Sequence, residues 1–172
     1  MGSEPQLPLE RLEGLPPVLD RHTRVVVLGS FPGAASLAAG QYYAHPRNGF
    51  WPILASLWAV DLTTWPYERR LDELRRRGLG LWDLYASCRR EGSLDSAIRE
   101  ATRNPLERLR WLAPRLAAVA HNGGESAKGM ALTAALGLPV HRLPSTSPAN
   151  ASWSFERKRA AWGEVLSRYG VA

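Results

Sequence analysis

Apolar positions cluster along this chain in two distinct ways, and the contrast predicts its elements. Four short segments read as strands: the apolar run Arg24 to Gly29, then Leu79 to Leu84, Leu116 to His121 and Pro139 to Leu143. Consecutive apolar residues bounded by turn formers are the mark of strands buried on both faces of a parallel sheet. The first run is β-branched through its centre and ends at Gly29. Other stretches space their apolar residues at helical intervals. Phe50 to Val60 reads as a helix with Pro52 in its first turn, where a missing N–H costs nothing. Tyr67 to Arg77 places Leu71 and Leu74 inward and stops at Gly78. Further helices are expected over Ser93 to Ala101, with Ser93 as cap, and over Pro105 to Leu112. Two more are expected over Gly124 to Leu136, ended by Gly137, and over Ser154 to Tyr169. Gly29 to Asn48 and Pro144 to Asn150 read as loops.

Strands alternating with helices predict an α/β sandwich on a parallel sheet. Residues 1–19, rich in Pro, Glu and Leu, read as a leader packing across the edge of a single domain formed by residues 20–172. In such sheets ligands bind outside the carboxyl ends of the strands. Four segments are expected there: Gly29 to Gly33, Trp82 to Ser87, Asn122 to Gly124 and Ser145 to Asn150.

Composition narrows the picture further. A net charge of +6 and a pI near 10.1 favour a polyanionic partner, although solvated surface arginines give the same balance. Cys88 is the single cysteine, which excludes an internal disulfide and a thiolate-based metal site. The first ten residues lack the apolar centre of a signal peptide, and no apolar run approaches the roughly 20 residues that span a bilayer. A cytoplasmic, nucleoid-associated protein is the expectation.

Three segments carry chemistry. Gly29-Ser30-Phe31-Pro32-Gly33 is a rigid turn whose backbone N–H groups can hold an anion or a base oxygen, but it matches neither a dinucleotide fingerprint nor a P-loop. Gln41 to Trp51 packs Tyr42, Tyr43, His45, Asn48, Phe50 and Trp51 into one short stretch. Phe50 and Trp51 suit the core, Tyr43 suits either the core or stacking on a nucleobase, and Asn48 suits either a helix cap or a site. The third segment, Ser145-Thr146-Ser147-Pro148-Ala149-Asn150, is rich in hydroxyls and stiffened by proline. It suits either the gripping of DNA phosphates or the capping of the next helix.

Taken together, these blocks resemble the hypoxanthine (deoxyinosine) DNA glycosylases, the sixth family of the uracil-DNA glycosylase superfamily. The resemblance rests on the G-S-x-P-G turn, the Q-Y-Y-x-H-P-x-N-x-F-W block, the L-W-D stretch with Ser87-Cys88, Asn122-Gly123, Leu143 to Asn150, and Lys158 to Trp162. It spans Arg24 to Trp162 and implies a three-layer α/β/α sandwich on a short, mostly four-stranded parallel sheet. It also implies a monomer that uses no metal or organic cofactor. Its substrate would be double-stranded DNA, with single-stranded DNA also open, and the damaged nucleotide would be flipped out for attack by water. By resemblance, Gly29, Ser30, Phe31, Pro32 and Gly33 line the base pocket, Tyr43 stacks on the base and Asn122 reads its edge. Ser145, Thr146, Ser147, Pro148, Ala149 and Asn150 pinch the backbone.

Two departures bear on mechanism. Phe31 stands where many superfamily members carry an Asp or Asn that positions water, and the second motif lacks the histidine of the classical uracil enzymes. The catalytic role is therefore expected of Asn48, acting by hydrogen bonding, because an amide cannot serve as a base at neutral pH. The chain has two lysines, Lys128 and Lys158, both on expected helices, which disfavours a Schiff-base nucleophile and points to a monofunctional enzyme. His121 and His141 lie near expected strand ends, as packing residues or as contributors to the site.

Competing readings are a uracil or mismatch glycosylase of the same superfamily, a non-enzymatic nucleic-acid-binding module, and a small-molecule hydrolase or nucleosidase. Against the last, the chain has no G-x-S-x-G elbow and no metal-ligand spacing.

Overall fold

The computed structural model describes residues 2–5 and 7–172, so Met1 and Gln6 of the leader lie outside the described residues. The chain forms strands β1 (Arg11–Glu13) and β2 (Val25–Gly29), then helices α1 (Ala34–Ala39), α2 (Phe50–Trp58) and α3 (Tyr67–Arg77). Strands β3 (Leu79–Asp83), β4 (Tyr85–Arg89) and β5 (Arg99–Arg103) follow, then α4 (Leu109–Leu112), β6 (Ala118–Asn122), α5 (Met130–Ala134), β7 (Val140–Leu143) and α6 (Phe155–Arg168).

A parallel sheet of order β3-β2-β6-β7 forms the middle of a three-layer α/β/α sandwich. Successive residues of a strand point to opposite faces, which explains the unbroken apolar run of β2. Val25 and Val27 pack with Phe50, Leu54, Leu74 and Trp162, from α2, α3 and α6. Val26 and Leu28 pack on the other face with Leu106, Leu109, Cys88 and Phe31. Both faces are therefore covered, as an all-parallel sheet requires.

Helix α3 follows its sequence pattern throughout. Leu71 and Leu74 are buried, and Gly78 closes the helix in the left-handed region (φ 80°), where its N–H caps the carbonyls of Leu74 and Arg75. Ser154 caps α6 by accepting from the Arg157 N–H.

Elsewhere the chain departs from expectation. Ser93 to Ala101 is not a helix: a 3-10 turn over Asp95–Ala97 leads into β5. The hydroxyl of Ser93 accepts from the Ala34 N–H of α1 instead of capping its own segment. The β5 backbone is satisfied by antiparallel pairing with β4, and Arg89 bridges to Glu100 at 2.7 Å. Every β5 residue is exposed, so this segment has no apolar face from which a helix would gain stability. Gly124 to Leu136 splits into a 3-10 turn over Ser126–Gly129 and the short α5, because Ser126 is drawn down to donate to the Leu28 carbonyl at 2.6 Å. Pro105 to Leu112 similarly divides into a 3-10 turn (Leu106–Arg108) and α4. Within the expected Gly29 to Asn48 loop lies α1, built largely of alanine, the strongest helix former.

The leader pairs as well as packs. Its β1 joins β4 and β5 in a small antiparallel sheet with Leu12 opposite Cys88, and Val18 bridges to Leu81 on the outer edge of β3. That bridge covers a strand edge otherwise open to another chain. No helix among the described residues is long and apolar enough to cross a membrane.

Candidate active site

At the carboxyl edge of the parallel sheet, Asp83 of β3 pairs with Gly29 of β2, and Asn122 of β6 pairs with Leu143 of β7. Since Leu28 pairs with His121, the row across the sheet reads Asp83, Gly29, Asn122, Leu143. Gly29 gives this row a bare floor between an acid and an amide. A Cβ at Gly29 would overlap Asp83 Oδ1 and stand 3.4 Å from the Tyr43 hydroxyl, so only glycine permits this approach.

Above the row opens a cleft of about 750 Å³, lined by Gly29 to Gly33, Tyr43, Asn48, Asn122 and Ser145 to Asn150. The geometry thus brings every site residue expected from the sequence around one cavity. Within the Gly29 to Gly33 turn, the carbonyls of Gly29 and Ser30 accept from Leu84 and Tyr85, and that of Gly33 accepts from Leu37. Buried Arg90 donates to the Pro32 carbonyl at 2.7 Å and lies over the Phe31 ring. With the carbonyls turned away, the N–H groups of Ser30 and Phe31 have no main-chain acceptor among the described residues.

Tyr43 sits in the left-handed region (φ 57°), an uncommon conformation for a bulky side chain. Its ring stacks on Phe50 at 4.2 Å between centroids, and its hydroxyl accepts from Asn122 Nδ2 at 3.3 Å. Burial first, and then the charge of Asp83, hold its hydroxyl un-ionised well above the usual tyrosine range. Asn48 accepts the Phe50 N–H on Oδ1 at 2.9 Å, so it both caps α2 and lines the cleft. That contact fixes the Oδ1 end of the side chain, with the NH₂ as its other, donor end.

Asn122 is fully engaged. Its Nδ2 donates to Tyr43 and, at 3.0 Å, to Thr146 Oγ1, while its Oδ1 accepts from the Thr146 N–H at 3.0 Å. Thr146 is 1% exposed, and its carbonyl takes the Gly49 N–H. Thr146 therefore anchors the Ser145 to Asn150 loop, leaving Ser147, Pro148 and Ala149 towards the rim. Lys158 supports the same loop through Nζ to the Ser147 carbonyl at 3.4 Å, and Trp162 through Nε1 to the Pro144 carbonyl at 3.0 Å.

The two uncertain histidines are packing residues. His121 is fully buried between Ser126 and Thr133, and His141 bonds the Tyr169 hydroxyl at 2.6 Å; neither lines the cleft. Cys88 is buried within β4, and burial raises its thiol pKa. Among the described residues, no three His, Cys, Asp or Glu side chains converge as metal ligands.

Sequence reasoning passed over the acids. Asp83 is 4% exposed, lines the cleft, and has an Oδ2 without a hydrogen-bond partner. Burial, then the like charge of Asp95, raises its pKa to about 7. Asp95, also lining the cleft, accepts the Ser30 hydroxyl at 2.6 Å. The signal for Asp83 was present: a carboxylate inside the apolar Leu79 to Leu84 run, at the end where ligands bind.

Residues 16–166 match the model of the uracil DNA glycosylase superfamily. A hypoxanthine DNA glycosylase of Methanosarcina barkeri is 37% identical over 156 residues, covering 91% of this chain and 98% of the relative. A second hypoxanthine DNA glycosylase, of Methanosarcina acetivorans, is 34% identical over 153 residues, covering 89% and 96%. The solution NMR structure of a Methanosarcina acetivorans protein assigned to the uracil DNA glycosylases superposes with a TM-score of 0.84 at 32% identity, covering 93% of this chain and 99% of that one. The protein belongs to the uracil DNA glycosylase superfamily.

Proposed function

We propose that this protein removes deaminated bases from DNA, hypoxanthine foremost, by hydrolysing the N-glycosidic bond of a flipped-out nucleotide and leaving an abasic site. The observation that carries this reading is the single cleft in which an aromatic ring, an amide donor and a hydroxyl-rich loop converge over a bare glycine floor. The hypoxanthine assignment draws on the names of the two relatives, which this chain matches over about nine-tenths of its length.

Each site residue takes a role suited to its position. Tyr43, backed by Phe50, offers a rigid platform for the extruded base, whose stacking is tolerant of base identity. The N–H groups of the Gly29 to Gly33 turn hold the base and the attacking water. Asn48, with its oxygen bonded to Phe50, directs its NH₂ to the departing base and stabilises the negative charge that develops there. Asn122 sets the Tyr43 hydroxyl and locks Thr146. The rest of the Ser145 to Asn150 loop meets the DNA backbone. Lys158 is tied to the Ser147 carbonyl and does not line the cleft, which supports hydrolysis by water alone. Residues 20–172 act as one monomeric glycosylase domain with the leader as its edge, working on duplex chromosomal DNA in the cytoplasm.

The test is excision from matched duplexes carrying one deoxyinosine or one deoxyuridine, followed by hot alkali to break abasic sites. Strand breaks chiefly at inosine support this reading. Breaks chiefly at uracil keep the class and change the lesion, and breaks at neither overturn it.

A further inference from the structure

Six large hydrophobic side chains among the described residues are exposed to solvent, and Leu94 alone of these lines the cleft. It is 58% exposed, in the loop between β4 and β5, and belongs to neither hydrophobic core. Slackness of the loop does not explain this, because both neighbours of Leu94 are tied to the turn after β2. The Ser93 hydroxyl accepts from the Ala34 N–H at 2.9 Å, and Asp95 accepts from the Ser30 hydroxyl at 2.6 Å. Buried Arg90 adds two bonds from beneath, donating to the Gly92 carbonyl at 2.9 Å and to the Pro32 carbonyl at 2.7 Å. The Leu94 carbonyl itself takes the Ala97 N–H at 3.0 Å. A backbone held at so many points keeps this apolar side chain at the rim of the cleft, where contact with water costs free energy.

The two sides of the cleft differ in chemistry. By strand order, the turn after β2 and the loop carrying Leu94 lie on the β3-β2 side, and the Ser145 to Asn150 loop lies on the β6-β7 side. The β6-β7 side presents hydroxyls and Arg142, groups that take phosphate. The β3-β2 side presents Leu94 with Ala34 and Ala35, and its arginine, Arg90, is turned inward onto carbonyls. An apolar rim of this kind fits C–H surface and offers no cation to a phosphate.

We propose that Leu94 is an apolar lip that packs against the deoxyribose of the flipped nucleotide and selects the flipped over the stacked state. The inference rests on the glycosylase reading for its ligand. In that reading the base descends onto Tyr43 and the phosphate is held at the hydroxyl-rich side, so the sugar is the part left at the rim beside Leu94. Extrusion sacrifices stacking and pairing in the duplex, and apolar contact with the sugar offsets part of that loss. A nucleotide that stays stacked never reaches Leu94. The lip therefore raises affinity for an extruded lesion alone, whereas a phosphate contact raises affinity for any duplex.

Fluorescence anisotropy of two duplexes tests this. One is undamaged, and the other carries 2′-deoxyformycin B, the C-nucleoside isostere of deoxyinosine, whose C–C glycosidic bond cannot be hydrolysed. Leu94→Ala should bind the isostere duplex about 10- to 100-fold more weakly than the wild type, the loss expected when a leucine is stripped from an apolar contact. Its affinity for the undamaged duplex should stay within about twofold, since no phosphate contact has changed. Leu94→Met, which conserves apolar volume, should stay within about threefold of the wild type on both duplexes. Because the side chain is exposed, Leu94→Ala should also melt with the wild type, so that lost binding is not lost folding. Equal weakening on both duplexes would make Leu94 a general DNA contact, and no weakening on either would leave it an idle surface residue. Each of those results overturns the proposal. A wild type that does not prefer the isostere duplex would overturn the flipped-nucleotide reading and the lip together. A wild type that prefers it, matched by Leu94→Ala, would overturn the lip alone.

Discussion

Asn48 performs two tasks with the two ends of one amide, and variants can separate them. Its Oδ1 receives the Phe50 N–H, a contact worth about 1 kcal/mol as a helix cap. Its NH₂ is the donor proposed for the leaving base. Asn48→Ala removes both, so excision should fall about 10²- to 10³-fold, the usual loss for one such donor, while the melting temperature drops only by the cap. Asn48→Asp keeps the capping acceptor but sets a negative charge against the leaving base. It should melt at or above the alanine variant and excise more slowly than it, by thermal denaturation and single-turnover assay. Asp83 has the opposite balance, because its burial without a partner for Oδ2 is set against stability. Its pKa rises from an ordinary 3.8 when unfolded to about 7 when folded, so between those values the native state holds the extra proton. Stability from this group is therefore present at low pH and lost as pH rises through about 7. Asp83→Asn removes that loss and should stabilise the protein on the order of a few kcal/mol at about pH 8, with little effect near pH 4. Denaturant melts at the two pH values check the sign. The sequence placed this acid at the ligand end, within Trp82 to Ser87, but gave it no role, because periodicity marks Leu79 to Leu84 as core and does not show that the carboxyl lacks a partner.

Elements fixed by their own periodicity were legible, and elements fixed by partners were not. Helix α3 and strand β2 carry their reasons internally, in Leu71, Leu74 and Gly78 and in a run buried on both faces. Strand β5 exists because β4 offers it an edge, and β1 because β4 has a second edge; neither has an apolar pattern of its own. The expected helix from Gly124 fails for the same reason, since Ser126 is claimed by a carbonyl nearly a hundred residues earlier in the chain. The site shows the same division. Its loops were recognisable as blocks, whereas the Asn122 to Thr146 clasp joining β6, the Ser145 to Asn150 loop and the start of α2 through Gly49 is purely tertiary. Cutting the clasp should therefore matter more than its surface suggests. Asn122→Ala leaves the buried Thr146 N–H and hydroxyl without partners, which costs about 1–3 kcal/mol for such a group. The expected result is a lowered melting temperature together with weaker binding of inosine DNA. A variant as stable as the wild type would show that water or a relaxed loop replaces the amide.

Across the whole molecule, the surplus of positive charge includes arginines at the cleft. On α3 the pair of Arg75 with Asp72 lies at the surface, where such pairs contribute little to stability, and Glu73 is shared between Arg76 and Arg77. Around the cleft the arrangement differs. Arg142 lines it, Arg47 is exposed between cleft-lining His45 and Asn48, and the Arg157 guanidinium lies 4.1 Å over the ring of cleft-lining Trp153. None of these three arginines forms an ion pair among the described residues. Cations left unpaired around a concave site are available to phosphates, and each phosphate neutralised releases counterions from the duplex. Three such contacts predict that log affinity falls against log salt with a slope of about −3. Fluorescence anisotropy of an inosine duplex with Asn48→Ala, whose excision is expected to be about 10²- to 10³-fold slower, gives that slope before turnover interferes. Arg157→Ala should weaken binding to inosine-containing and undamaged duplexes alike and make the slope shallower by about 1, since a phosphate contact carries no sequence information. An Arg76→Ala control on α3 should leave the slope unchanged. If Arg76→Ala shifts the slope and Arg157→Ala does not, the duplex lies across the α3 face and the cleft is not where DNA is held.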